Sequence, residues 1–257
     1  MTSTLSEAAR TLLAQASTAT LQTQLFKRGL RNTFLYGVRP LSPTSASFVG
    51  EATTCRFVPA REDIDVVELF EDPTYPQRRA IDTMEAGKVL VMDGRHDPRA
   101  AVAGEILATR LVVRGAAALV TDASVRDSHR IAAMGLPVYV AGVSASNNLT
   151  LHHAVDVDVP VACAGVAVYP GDVLVGDAEG VVVIPAHLAE EVAADAAEQE
   201  AFEEFIRARV AAGAPLRGTY PPNDEVKAAW AAHQATTAGT AAGEVTAARA
   251  GAGEGTG

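Results

Sequence analysis

Short apolar runs alternating with amphipathic stretches set the pattern of the central chain. Residues 87–94 (GKVLVMDG), 116–121 (AAALVT) and 136–142 (LPVYVAG) are compact and apolar, and each is bounded by turn formers. Such runs predict buried strands. Between the first two, residues 104–115 (GEILATRLVVRG) place Ile106, Leu107, Leu111 and Val112 on one helical face, with Gly115 as a C-terminal stop. A shorter helix is expected around 128–134. Before this core, Ser47 to Pro59 alternates as a strand, followed by a charged, proline-containing connection and a helix. Strands alternating with helices predict a parallel or mixed α/β sheet.

The pattern changes at both ends. Leu5, Ala8, Ala9, Leu12, Leu13 and Ala16 recur at helical spacing, so residues 1–44 read as an N-terminal helical extension. From about Ala154 the chain is valine-rich, alternating and broken at YPGD and DAEG, which predicts a β-meander. After Pro185, the stripe Leu188, Val192, Phe202, Phe205, Ile206 and Val210 predicts a long helix. Residues 234–257 are rich in Ala, Gly and Thr without an apolar period, and a disordered tail is expected there. The expectation is an α/β domain over 45–233, with a mixed sheet, a β-meander and a long C-terminal helix.

Composition narrows the function. The 257 residues are 48% hydrophobic and 20% charged, with a formal net charge of -10. That balance argues against a nucleic-acid partner, which needs clustered Lys and Arg. No stretch reaches the roughly 18 apolar residues of a membrane span. The N-terminus lacks a secretory pattern, so a cytoplasmic protein is expected. Cys55 and Cys163 lack metal-type spacing and read as buried free thiols. Phosphate-loop, dinucleotide, nucleophile-elbow and HExxH motifs are absent. His152 and His153 point to opposite faces of a strand and cannot easily share one ion. His96, His129, His187 and His233 are scattered. Asp172 and Asp177 read as turn formers, and Glu198, Glu200, Glu203 and Glu204 as a solvated helix face.

Two strand ends remain as candidate chemistry: Asp93-Gly94, leading towards the helix that starts at Glu105, and Arg126-Asp127. Ligands of α/β sheets bind beyond the carboxyl ends of strands. Unpaired amides at the start of the 105–114 helix suit a carboxylate. Arg126 offers a planar donor fork for a carboxylate or enolate oxygen. Asp127 is a hard oxygen ligand, and one carboxylate with waters and substrate is a usual way to hold Mg²⁺.

GEILATRLVVRGAAALVTDASVRD carries Gly104-Glu105, twenty residues, then Arg126-Asp127, and so resembles the G-[DE]-x20-R-D signature of the RraA-like superfamily. The resemblance runs through LPVYVAG and GVAVYPGDVLVGDAEGVVVIP, over roughly residues 45–210, and RGLRNTFLYGVRPLSP resembles longer members. The superfamily includes class II 4-hydroxy-4-methyl-2-oxoglutarate aldolases and regulators of ribonuclease E activity. The resemblance implies a trimeric or hexameric α/β sandwich with sites at subunit interfaces. It also implies a divalent ion, Mg²⁺ or Mn²⁺, on Asp127 and a 2-oxo acid substrate contacted by Arg126. Backbone amides from Gly104 through Glu105 and Ile106 to Leu107 would hold the substrate carboxylate, and Glu105 would help order water at the metal. The implied activity is aldol cleavage or decarboxylation through a pyruvate-type enolate. A hydro-lyase on a sugar acid and a non-catalytic ribonuclease-binding regulator are the alternatives. Aldolase members commonly carry a carboxylate where this chain has Arg130, which could instead recognise a second substrate carboxylate.

Overall fold

The alternation read along the chain becomes two apolar faces of one sheet. The computed structural model describes residues 5–42 and 47–236. Its strands are β1 (Arg39–Pro40), β2 (Phe48–Pro59), β3 (Val89–Asp93), β4 (Ala101–Ala103), β5 (Ala118–Thr121), β6 (Ser124–Val125) and β7 (Val138–Val140). They continue with β8 (Gly142–Val143), β9 (His152–Val157), β10 (Val161–Cys163), β11 (Val166–Val168), β12 (Val173–Gly176) and β13 (Val181–Ile184). The α-helices up to residue 211 are α1 (Glu7–Gln15), α2 (Thr18–Lys27), α3 (Pro76–Asp82), α4 (Glu105–Arg114), α5 (Ser128–Ala132) and α6 (Ala189–Ala211).

The main sheet runs β1-β7-β5-β3-β2-β12-β13, with β9 also paired to β2. Strands β2, β3, β5 and β7 are mutually parallel, while β1, β9, β12 and β13 are antiparallel to their neighbours. This is a mixed α/β sheet. Because strand side chains alternate between faces, Leu90, Met92, Leu119, Val138 and Val140 form one core, joined by Ile81, Ala108, Leu111 and Ile131 from α3, α4 and α5. Val89, Val91, Ala118, Val120 and Tyr139 face the other way, towards Val161, Cys163, Val166 and Val168 of the β10–β11 hairpin. The meander region therefore resolves into two hairpins and an edge strand: β10 pairs only with β11, whereas β9 and β12 both pair with the long β2.

By compactness the chain divides into residues 1–197 and 198–257. The N-terminal helices belong to the first unit. Leu13, Leu21 and Leu25 of α1 and α2 are fully buried, and they cluster with Val173, Val175, Val182 and Ile184 and with Val192, Ala193 and Ala196 of α6. In the second unit, Phe202 and Phe205 pack around Trp230 at ring distances of 5.5 and 5.4 Å. Residues 224–236 are helical, which takes in the first three positions of the expected disordered tail; its remainder, 237–257, lies outside the described residues. Both thiols are free and buried. Burial pushes the Cys55 thiol up to about 12 and the Cys163 thiol well above its ordinary value, so neither is a ready nucleophile. No helix among the described residues is long and apolar enough to cross a membrane.

Three parallel strands of the main sheet each lead into a short second strand. β3, β5 and β7 are followed by β4, β6 and β8, which form their own parallel sheet in the order β4-β6-β8. Ala103 pairs with Val125 there. This small sheet brings residue 104 beside residue 126.

Candidate functional site at the ends of β4 and β6

Gly104 follows β4 directly and caps the start of α4 in an extended conformation. Arg126 follows β6, and its backbone amide donates to the carbonyl of Ala103 at 3.0 Å. Asp127 then takes a left-handed conformation (φ 57°, ψ 32°) as the cap of α5. Only a few per cent of non-glycine residues adopt positive φ, with Asp and Asn among those that tolerate it. The turn sends the Asp127 carboxylate back across the chain, where its Oδ2 accepts from the Glu105 amide at 3.3 Å. That amide is one of the unpaired donors at the helix start.

The Arg126 Nε lies 3.5 Å from Asp127 Oδ2, with the two side chains 48% and 40% exposed. An ion pair that open contributes about 0–1 kcal/mol. Stability therefore does not explain why the two stand together.

Gly104 is the close-approach point. A Cβ placed on it would lie 3.0 Å from both Arg126 Cγ and Asp127 Oδ2 and 3.1 Å from Arg126 Nε. Any side chain there must push the pair away from the helix start. Gly104→Ala is accordingly expected to shift the two side chains by a few tenths of an ångström while changing thermal stability little. A crystal structure of the variant and its melting curve check this.

These residues border one cleft of about 410 Å³, lined by Gly104, Glu105, Ile106, Leu107, Arg126 and Asp127 together with Phe70, Gln77, Arg78, Asn147 and Asn148. All six positions singled out from the sequence meet there. The other expected strand end does not. Asp93 and Gly94 are separated from Gly104 by a loop and β4, and the Asp93 carboxylate accepts from the amides of Arg95 and Ala162 at 2.9 and 3.3 Å. Burial raises its pKa. Asp122, fully buried, accepts from the amides of Gly94, His96 and Ala164. These two carboxylates hold the 94–97 turn, in which Arg95 and His96 both have positive φ.

Two further expectations change. Arg130 does not border the cleft: its Nη1 is 2.8 Å from Glu105 Oε2, so it neutralises the acid at the start of α4 instead of waiting for a second substrate carboxylate. On α4, the buried positions are Ala108 and Leu111, with Leu107 partly buried; Ile106 is 81% exposed and Val112 42%. The helix is rotated so that Ile106 faces outward beside the site. Gln77 and Arg78, in the first turn of α3, were not legible as site residues, because only the docking of α3 against β4 carries them to the cleft. Their one sequence signal is Pro76 at the start of a helical stretch.

Asp127 and Glu105 are the carboxylates on the cleft. Among the described residues no group of three or more His, Cys, Asp or Glu could enclose a metal ion. This donor set does not suit a closed zinc site. It does suit Mg²⁺ or Mn²⁺, which is commonly held by one or two carboxylates and completed by water and substrate.

A family model described as RraA-like, Aldolase/RraA, matches residues 2–183. A protein of Halalkalibacterium halodurans is 34% identical over 120 residues, which cover 46% of this chain and 56% of that protein. One from Xanthomonas campestris pv. campestris is 40% identical over 130 residues, covering 50% and 76%. Both are provisionally named 4-hydroxy-4-methyl-2-oxoglutarate aldolase. The chain thus spans just over half the length of the first relative. Among solved structures, Streptomyces coelicolor RraAS2, described as an unusual member of the RNase ES inhibitor RraA protein family, is 29% identical with a TM-score of 0.70, covering 80% of this chain and 98% of that one. A Pseudomonas syringae protein shares the fold at 23% identity and a TM-score of 0.72, covering 85% and 99%. With the signature residues brought together on one cleft and the family model matched over residues 2–183, the chain belongs to the RraA-like family.

Proposed function

We propose that this chain is a divalent-metal-dependent lyase that cleaves a C–C bond of a 2-oxo acid, by aldol cleavage or decarboxylation, to leave a pyruvate-type enolate. The observation that carries this reading is the closure of Gly104-Glu105 on Arg126-Asp127 across one cleft, where the ion pair itself contributes little to stability.

Asp127 would hold the ion, and Mg²⁺ or Mn²⁺ would supply Lewis-acid stabilisation of the developing charge. The remaining roles belong to the protein. First-turn amides of α4, at Ile106 and Leu107, point their unpaired N–H groups at a substrate carboxylate. Arg126 stabilises the oxygen on which negative charge grows as the C–C bond electrons move into the enolate. Glu105, fixed by Arg130, orients water at the cleft, and water delivers the proton to carbon that completes pyruvate. In the aldol case the hydroxyl proton leaves to solvent as the carbonyl product forms; in the decarboxylation case carbon dioxide leaves.

A panel of 2-oxo acids, beginning with oxaloacetate and 4-hydroxy-4-methyl-2-oxoglutarate, tests this by pyruvate release in Mg²⁺. Release from at least one compound is expected, and none from any would contradict the reading. The similarity to RraAS2 supports a second reading, a ribonuclease-binding regulator without turnover. That reading predicts silence across the panel together with retention of a ribonuclease on the immobilised protein.

We also propose a homotrimer or dimer of trimers in the cytoplasm. Ile106 and Val113 on the outward face of α4, 81% and 69% exposed, and Val143 of β8, 60% exposed, are apolar surface close to the site. Such surface marks an interaction face. Light scattering is expected to give a multiple of three subunits, and Ile106→Glu is expected to reduce it; an active wild-type monomer would contradict the assignment.

A further inference from the structure

The cleft has a second half that the pyruvate-type chemistry does not use. Gln77 is 1% exposed, and its Nε2 donates to the carbonyl of Val102 in β4. A carbonyl at that end of the amide requires the NH₂ group there and therefore fixes the oxygen at the other end. That oxygen, Oε1, is buried and has no hydrogen-bond partner in the structure. The adjacent Arg78 also has a buried Nε without a partner. Its guanidinium lies over the Phe70 ring, 5.0 Å from the centroid. Stacking occupies the face of the guanidinium and leaves its in-plane donors for a ligand. Neighbouring arginines are committed elsewhere: Arg130 to Glu105, Arg110 to Asp82 and Arg114 to the carbonyl of Met84. Phe70, Gln77 and Arg78 line the same cleft as Arg126 and Asp127.

We propose that Gln77 and Arg78 form a distal subsite that selects 2-oxo acids with a polar second end. Arg78 takes a second carboxylate, and Gln77 Oε1 takes a hydrogen-bond donor beside it, either a ligand hydroxyl or the water that solvates that carboxylate. A buried acceptor held this rigidly also works against the wrong ligand, because an apolar tail would leave it desolvated and unpaired. The inference rests on the reading of the proximal half as a 2-oxo acid site, and it names the two residues that read the far end of the ligand.

The test is equilibrium binding to the full-length, Mg²⁺-supplemented protein, with 2-oxoglutarate and 2-oxobutanoate as probes. They share the 2-oxo acid head and differ in a carboxylate or a methyl at the far end. A charge-assisted contact predicts that the wild type binds 2-oxoglutarate about 10-fold or more tightly than 2-oxobutanoate. Arg78→Met is expected to remove that preference by weakening 2-oxoglutarate alone, and Arg78→Lys to restore part of it. Gln77→Met is expected to strengthen 2-oxobutanoate, since the acceptor it would strand is gone. Equal wild-type affinities, no binding of either probe, or equal weakening of both by Arg78→Met would overturn the proposal. Melting curves identify any variant that does not fold, and the two Arg78 variants decide the matter if Gln77→Met is lost that way. A wild type that prefers 2-oxoglutarate yet releases no pyruvate from any 2-oxo acid would sink the lyase reading and leave the subsite standing.

Discussion

Asp127→Asn is expected to lower Mg²⁺-dependent pyruvate release by at least about 100-fold, because it removes the carboxylate charge proposed to hold the ion. Asparagine is the informative replacement. Position 127 has a φ of 57°, and asparagine tolerates that backbone where alanine adds strain of its own. The side-chain oxygen can still accept from the Glu105 amide, which Asp127 Oδ2 meets at 3.3 Å. The lost ion pair with Arg126 is an exposed one worth about 1 kcal/mol at most, so the melting temperature should move by no more than about 4 °C. Turnover and melting measured on the same preparation separate the two effects. Full activity would return Asp127 to a turn residue.

The second large effect is expected at Arg126. Arg126→Lys keeps the positive charge and loses the planar fork, and loss of one donor to a developing oxyanion commonly costs about 100- to 1,000-fold in kcat. The loss should fall mainly on kcat, since in the proposed site the α4 amides would also hold the substrate carboxylate. The backbone contact that places the residue, Arg126 N–H to the Ala103 carbonyl, is untouched by the substitution. Unchanged kcat in a folded variant would make the Arg126–Asp127 pair the ordinary surface ion pair that its exposure alone suggests.

The sequence carried the main sheet and the helices because their side chains repeat at readable periods. Residues 89–92 alternate between two cores, and α4 ends at Gly115, whose φ is 74°, as its pattern predicts. The small sheet was not legible. Its strands are two or three residues long, too short to show any period, yet they bring Gly104 to Arg126. The signature residues could be picked out only as neighbours in a pattern, and their closure depends on that hidden sheet. The outward face of α4 was misjudged at Ile106 and Val112 because apolar spacing cannot distinguish a buried face from an exposed apolar one. Sequence alone offers Arg130 as a substrate contact because its ion pair with Glu105, 25 positions away, is set by how α5 docks on α4. Gln77 and Arg78 escaped for the same reason: a polar pair in a helix gives no sign that one of them is buried.

The most direct test of the central claim is oxaloacetate decarboxylation by the wild-type protein after EDTA treatment and after readdition of metal. The account predicts pyruvate release that disappears with EDTA and returns with Mg²⁺ or Mn²⁺. It also predicts that Asp127→Asn shows no such recovery. Release that is indifferent to EDTA, or recovery of equal size in the Asp127→Asn variant, would contradict it.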